Sequence, residues 1–573
     1  MKLAKIHIKN FRSIQNSEIR FDEITALVGE NNAGKSAILR AINAIFNYSL
    51  EQPYFIDNTH QYAPKTTTTI VLYFQDFSLE KYFDICNADQ LKLCFKYSYS
   101  KTKRGRSLYF DTANGKINAD PYMEALKQDI GYIYIPANRG QSDLIWSEQS
   151  IFSQLVSHYL EEYTKNKDLL SNKVIDVSKQ IYNQILRRLG KELTELHVLD
   201  NDASYDVNFI NNLDYSIYLD KLSIFIKDHD ITFPALEYGS GINSLTVIAL
   251  YRLLIKNSSS SVILGIEEPE SHLHPQAQKQ FISSLLLNRK DYENQAILAT
   301  HSTVIIDALQ HQNIVLVRKV TDPKRGYKTI TSQLPENFWN IHHINDYKHY
   351  VYFQYRNSDF FFAKYVIITE SSTDAQVVES LIKDSLKDKM YSVSILNLTG
   401  VQNLRYPYYL LKDLNIPFTV IVDKDFFLPY LHDSLDRSRD ANYLPLYKVK
   451  AKRNDLVINS CWPNEKIKEL DEYLNKSYSS LFDYLKTYSF CTMEYCLEMD
   501  LIAKSSQARD MYYDHFNLNG GNRNLYNLLH KKDAVKNPTL LMNIFLNVTP
   551  SNRPYSYKKI RKYLIEEINK YIE

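Results

Sequence analysis

At 573 residues the chain is too long for one ordinary core and long enough for two or three domains. Its 44% hydrophobic and 23% charged content is that of a globular protein, no apolar run reaches bilayer length, and the formal charge of +2 leaves any nucleic-acid role to local patches. Five scattered cysteines (Cys86, Cys94, Cys461, Cys491, Cys496) lack the spacing of a disulfide framework or a zinc site, and residues 1–7 alternate charge with apolar side chains instead of forming a secretory signal, so the expectation is a cytoplasmic protein with reduced thiols and no membrane association.

Residues 3–9 and Ile24–Val28 read as strands, and Lys35–Phe46 has the apolar periodicity of a helix. Short β-rich runs follow, among them residues 95–99 and 107–110, which flank a basic tip at Lys101, Lys103, Arg104 and Arg106 and predict a hairpin. Residues 130–136 read as another strand and 147–196 as a helical insertion, suited to a dimerisation arm and reaching to about residue 200. Strand patterns return at 223–233, 262–266 and 295–299, an alternation with helices that predicts an α/β sheet. After an irregular, aromatic, His-rich stretch at 335–359, the strand Tyr365–Thr369 opens a second α/β unit, so domains of 1–345 and 346–573 are expected, the latter mostly helical from about residue 466.

Gly29-Glu30-Asn31-Asn32-Ala33-Gly34-Lys35-Ser36 fits the phosphate-binding pattern G-x-x-x-x-G-K-[ST] in full, after a strand and before a helix. Such a loop turns backbone N–H groups around a β-phosphate, sends Lys35 to the β/γ oxygens and offers the Ser36 hydroxyl to Mg²⁺, with Gly29, Asn32 and Gly34 shaping the cradle for ATP. The apolar strand at 262–266 delivers Glu267 and Glu268 at its C-terminal end, the first placed to hold Mg²⁺ and the second to polarise the attacking water. His301, at the end of another apolar strand, is placed to contact the γ-phosphate; taken alone it reads equally as a strand-end cap.

A second acidic constellation lies downstream. Glu370 ends the apolar strand Tyr365–Thr369 and Asp374 starts a helix, while Asp423 and Asp425 end another apolar strand at i and i+2 and project to one side. Four acids converging in this way suit hard divalent cations, Mg²⁺ or Mn²⁺, and two such ions can activate water and stabilise a leaving oxygen in phosphodiester cleavage. The plainer alternative is a capping box of Thr373 with Gln376 and an ordinary strand-end turn at 423–425. Two runs mix cations with aromatics, Tyr447 to Arg453 and Tyr557 to Tyr563, and either could follow a nucleic-acid backbone or be a solvated face.

With these motifs the sequence resembles ABC-type heads of the SMC, RecF and OLD families, in its opening strand Ile6 to Ile14, in a degenerate signature at Tyr238 to Leu245, and in Glu267-Glu268-Pro269-Glu270-Ser271-His272-Leu273-His274-Pro275. The second acidic set resembles a Toprim domain, and the pairing resembles an OLD-family endonuclease over essentially the whole chain. The resemblance implies a fold of ABC/SMC-like ATPase head, helical insertion and Toprim α/β domain with a helical C-terminal part. It implies a signature loop, Ser240 and Gly241, closing on the ATP of another copy in a homodimer or tetramer, and a Q-loop glutamine at Gln141. It also carries over Glu498 and Asp500 as added metal ligands and Lys532 or Lys536 for phosphate charge, with DNA as substrate. The family commonly has Gly after the strand-end Glu, where this chain has Ser371. Similarity to antiphage effectors implies a partner, either a reverse transcriptase with its RNA-linked DNA (retron) or a helicase (Gabija). A non-cleaving ATP-dependent DNA clamp and a transporter ATPase subunit remain the alternatives; the latter leaves the second acidic set without a role.

Overall fold

The computed structural model describes the chain apart from residues 88–89, 140–143, 145–150, 153–154, 157–181, 197–202, 210–221, 257–260, 288–293, 324, 345–357, 532–534 and 573. It divides into two units, Met1–Gln333 and Leu334–Glu573. The division precedes the irregular stretch that suggested 345/346, because the ring of Trp339 stacks on Tyr406 at 5.4 Å and Phe338 packs edge-on against the same ring at 6.1 Å.

In the first unit the strands are β1 (Lys2–Phe11), β2 (Ile14–Arg20), β3 (Ile24–Val28), β4 (Thr68–Gln75), β5 (Leu91–Ser98), β6 (Gly105–Thr112), β7 (Gly115–Asn118), β8 (Ile130–Ile135), β9 (Ala203–Phe209), β10 (Leu222–Asp228), β11 (Ile231–Pro234), β12 (Ser261–Glu267), β13 (Gln295–Thr300), β14 (Ile314–Asp322) and β15 (Gly326–Gln333). Among the described residues the large sheet runs β7-β6-β5-β4-β1-β2-β15-β14-β3-β13-β12-β8. Its β14-β3-β13-β12-β8 part is parallel, and β3, β12 and β13 are apolar almost throughout, as strands covered on both faces must be. The antiparallel half pairs β5 with β6 as the expected hairpin. The two arginines of its basic tip are engaged, Arg104 on the carbonyl of Phe55 and Arg106 on Asp120.

Helix α1 (Lys35–Phe46) buries Ile38, Leu39, Ile42, Ile45 and Phe46, the face its periodicity predicts. The strand expected at 223–233 is instead a hairpin of β10 and β11, bent at His229, whose φ of 54° turns the chain, and β9 completes that small sheet. Of the helical insertion, a π-helical turn Tyr182–Leu186 leading into the helix Arg187–Thr194 falls inside the described residues; most of it lies outside them.

The second unit has a parallel sheet in the order β17-β16-β18-β19, with β16 (Tyr365–Thr369), β17 (Val393–Asn397), β18 (Phe418–Val422) and β19 (Phe490–Thr492). Every residue of β16 is buried, and its core is shared with Val377, Val378, Leu381 and Ile382 of helix α2 (Ser372–Leu386) and with Tyr557, Ile560, Leu564 and Ile568 of helix α3 (Tyr555–Tyr571). From residue 466 onward the elements are helical apart from β19 and short 3₁₀ turns. No helix among the described residues is long and apolar enough to cross a membrane.

Candidate nucleotide and carboxylate sites

Parallel register brings the first site together. Val28 at the end of β3 pairs with Thr300 at the end of β13, and Ala299 pairs with Glu267 at the end of β12, so the phosphate loop, His301 and the two acids leave the sheet at one edge. Gly29 passes so near β14 that a Cβ would lie 1.9 Å from the carbonyl oxygen of Val317. Gly34, at φ 113°, caps α1, where a Cβ would lie 2.4 Å from Thr329 Oγ1. Asn32 takes a left-handed φ of 58°, and Ser36 is exposed at the first turn of the helix.

Lys35 Nζ donates to the carbonyls of Gly29 and Glu30, each at 2.9 Å, so the buried ammonium closes the loop on itself. Burial pulls it down to about 8, against the charges of Glu268, Glu270 and Glu267. Burial also lowers His301, with the charge of Lys35 adding to the effect, which sets lysine, histidine and Glu268 around one space. Glu267 accepts from the backbone N–H of Ala137 at 3.3 Å through Oε2, and its Oε1 is buried with no hydrogen-bond partner, an oxygen poised for a cation. Glu268 sits at φ 42° and accepts from Ser271 Oγ at 3.1 Å.

Two positioning residues were not singled out by sequence. Arg139 donates to the carbonyls of Glu267 and Glu268 at 2.6 and 2.7 Å and, through Nε, to Ser244 Oγ at 2.7 Å, tying the acids to helix α4 (Ser240–Lys256). Glu270 accepts from Thr300 Oγ1 at 2.8 Å and from the N–H of His301, clamping the end of β13, and burial raises its carboxyl. The signals were the arginine after a strand end and the third acid of the Glu267-Glu268-Pro269-Glu270 run. Ser240 is exposed at the start of α4, and a Cβ on Gly241 would lie 2.5 Å from the carbonyl oxygen of His272. Gln141 lies outside the described residues.

In the second unit β16 and β18 are adjacent and parallel, with Thr369 paired to Ile421, so Glu370 and Asp423 emerge side by side. Burial raises Glu370 to about 7, with the charges of Asp425 and Asp374 adding to it, and its Oε2 is buried without a partner. Burial raises Asp374, with Glu498 contributing, and raises Asp423 strongly, with Asp374, Glu498, Glu370 and Asp425 all contributing. Glu498 arrives in the first turn of helix α5 (Leu497–Lys504) and pairs with Lys536 Nζ at 3.0 Å; burial works against the charge of Lys536, and the acids more than offset it, leaving it raised.

The acidic edge is thus Glu370, Asp374, Asp423, Asp425 and Glu498. Among the described residues no group of three or more His, Cys, Asp or Glu side chains is arranged as a metal-ligand set. The orphaned Glu370 oxygen and the raised carboxyls fit a divalent cation.

Asp500 departs from its expected role as a ligand: it is fully buried and spends its oxygens on the N–H groups of Glu494 and Tyr495, both at 2.8 Å, so it shapes the turn that presents Glu498. The helix cap differs too. Ser371, not Thr373, caps α2, in a box with Asp374, whose Oδ2 accepts from Ser371 N and Oγ at 2.9 and 2.8 Å. Lys532 lies outside the described residues.

The AAA ATPase domain family matches residues 1–135 and 120–306, and the TOPRIM domain of overcoming-lysogenization-defect-like proteins matches 361–425. The chain belongs to the AAA ATPase domain family, with a Toprim domain of the OLD type in the same chain. It is homologous to the OLD nuclease of Thermus scotoductus, at 23% identity over 449 residues, 74% of this chain and 82% of that one. It is homologous to Endonuclease GajA of Bacillus cereus, at 25% over 353 residues, 55% of this chain and 49% of that one, and to Old nuclease of Escherichia phage P2, at 23% over 475 residues, 74% and 78%. The SMC head solved with the C-winged helix domain of ScpA overlays with a TM-score of 0.42 at 15% identity, covering 59% of this chain and 99% of that chain, too slight a likeness to argue from.

Proposed function

We propose that the chain is an ATP-regulated, divalent-metal-dependent DNA endonuclease, with the first unit turning over ATP and the second cutting. The observation that carries this reading is the edge where Glu370 and Asp423 emerge together and the neighbouring acids raise one another. Kinship with the OLD and GajA nucleases supports it. Mg²⁺ or Mn²⁺ held by Glu370, Asp374, Asp423, Asp425 and Glu498 would supply an activated water and charge stabilisation for phosphodiester hydrolysis. Burial and the neighbouring acids raise Glu370 to about 7, and Lys536, paired with Glu498 at 3.0 Å, would offset phosphate charge beside the metal.

In the first unit Lys35, now on the carbonyls of Gly29 and Glu30, would reach the phosphates of a bound ATP, Ser36 and Glu267 would hold its metal, Glu268 would orient water and His301 would face the γ-phosphate. Ser240 and Gly241 close on the nucleotide of a second copy, in a homodimer or tetramer. The biological setting proposed is cytoplasmic antiphage defence, with a reverse transcriptase and its RNA-linked DNA or a helicase as partner.

The test is supercoiled plasmid incubated with purified protein, Mg²⁺ or Mn²⁺, and with or without ATP. Nicking or linearisation that vanishes in Asp423→Ala is expected; no cleavage by the unsubstituted protein under any of these conditions refutes the reading and leaves a DNA clamp. Identical cleavage with and without ATP refutes the regulation alone.

A further inference from the structure

The chain leaves Asp425 on an excursion that returns to the site, and that excursion is not absorbed by the carboxylate chemistry. Leu431 donates to the carbonyl of Leu446 at 2.9 Å, Lys448 to that of Pro429 at 2.9 Å and Lys452 to that of Phe427 at 2.8 Å, so the segment from Phe427 to Lys452 folds back as an irregular ribbon. Its root is fixed to the acids. Tyr430 donates its hydroxyl to Asp425 Oδ2 at 2.8 Å, Tyr430 stacks on Tyr447 with ring centroids 5.5 Å apart, and Lys424 Nζ lies 5.5 Å above the Tyr447 ring. Its far end is fixed by Asp471, which accepts from Ala451 N at 2.7 Å and from Arg453 Nη2 at 2.9 Å.

Between these anchors Lys448, Lys450 and Lys452 are exposed, and among the described residues none of the three forms an ion pair. Val449, between two of them, is 64% exposed, an apolar side chain held out beside cations. An open cavity of about 570 Å³ lies on the strap, lined by Pro429, Leu431, Tyr447, Val449 and Ala451 together with the three lysines. Apolar, cationic and aromatic side chains on one surface, joined through Tyr430 to Asp425, suit a polyanion carrying flat apolar groups.

The other basic run is used differently. Lys559 bonds Asp483 at 3.1 Å and Ser479 at 2.8 Å, Arg561 donates to the carbonyl of Leu381 at 3.0 Å, and Lys558 donates to that of Ser551 at 2.6 Å, so its cations staple α3 to its neighbours. Of the two candidate tracks, one is spent on the fold and the other is open beside Asp425.

We propose that this strap, Lys448, Lys450 and Lys452 on a frame of Tyr430 and Tyr447, is the surface that grips the phosphodiester backbone of the strand led to the acidic edge. The inference rests on the nuclease reading for its purpose but not for its measurement. Binding of fluorescently labelled single-stranded and duplex DNA oligonucleotides of equal length is measured by anisotropy with Ca²⁺ present, across about 50 to 200 mM salt, for the full chain and for the K448A/K450A/K452A variant.

A fall in affinity of about 10-fold or more is expected, with the slope of log affinity against log salt reduced by about 2 on a single strand and by nearly 3 on a duplex, at about 0.7 and 0.9 per phosphate contact. K558A/K562A should bind as the unsubstituted chain does, and an unchanged circular-dichroism spectrum and thermal unfolding profile show that the triple variant folds. Triple-variant binding equal to that of the unsubstituted chain, or no DNA binding by the unsubstituted chain, overturns the strap. Strap-dependent binding without cleavage in Mn²⁺ sinks the nuclease reading and leaves the strap standing.

Discussion

The Nη2 of Arg139 donates to the backbone oxygen of Glu268 at 2.7 Å, while the same guanidinium holds the carbonyl of Glu267 and the hydroxyl of Ser244. One planar fork thus sets the two acids against the helix that starts at Ser240. Arg139→Lys cannot reproduce three directed bonds. ATP turnover is expected to fall about 10- to 100-fold, with nucleotide affinity changed by less than about threefold. Equal losses of affinity and turnover would show that Arg139 shapes the whole pocket instead.

Gly29→Ala tests the phosphate loop. The added carbon meets a backbone carbonyl of β14 and has no flexible neighbour to displace, so a loss of about 2 to 4 kcal/mol in stability and loss of ATP binding are expected. Thermal unfolding and nucleotide titration read the two effects separately. An unshifted thermal midpoint would mean that β14 and the loop move apart easily.

Asp423→Asn removes one charge from a crowded edge. In metal-free buffer the variant is expected to be more stable than the parent by on the order of 1 kcal/mol, because burial and four acidic neighbours penalise the ionised form. Adding Mn²⁺ should raise the thermal midpoint of the parent and leave that of the variant nearly unchanged. A variant destabilised without metal would refute the repulsion.

His311 supplies a pH dependence. It is buried, and burial alone pulls it from about 6.5 down to about 3. Its folded value lies below its unfolded one, so between these limits the unfolded chain binds more protons, and stability rises with pH. The contribution is complete above about pH 6.5 and is lost as pH falls, amounting to about 2 kcal/mol by pH 5. Denaturant titrations at pH 7 and pH 5 should show that loss in the parent and not in His311→Asn; equal slopes in both would place the acid sensitivity elsewhere.

The sites were legible where chemistry is written in consecutive residues on apolar parallel strands. The loop from Gly29 to Ser36 and the acids at 267, 268, 370 and 423 stand at strand ends because continuous apolar runs leave little doubt about where a buried strand stops. What escaped depends on backbone conformation or on distant partners. Asp500 and Glu498 share one helical turn, and only the local turn that aims the N–H groups of Glu494 and Tyr495 at Asp500 separates a shaping carboxylate from one that faces the cluster. Arg139 meets Ser244 across 105 residues, and the bend at His229 splits what periodicity alone reads as one strand. The cap at Ser371 escaped because Thr373 and Gln376 have the same spacing as Ser371 and Asp374.

The near approach of Gly241 to the His272 carbonyl has a mechanical meaning. The tip at Ser240 and Gly241, proposed above to meet another copy of the chain, rests on the turn that follows Glu268, main chain against main chain. A push on that tip has no soft side chain in which to dissipate, so engagement of a neighbour would reach the hydrolytic carboxylate as displacement, and bulk added at residue 241 would jam the linkage while leaving each pocket intact.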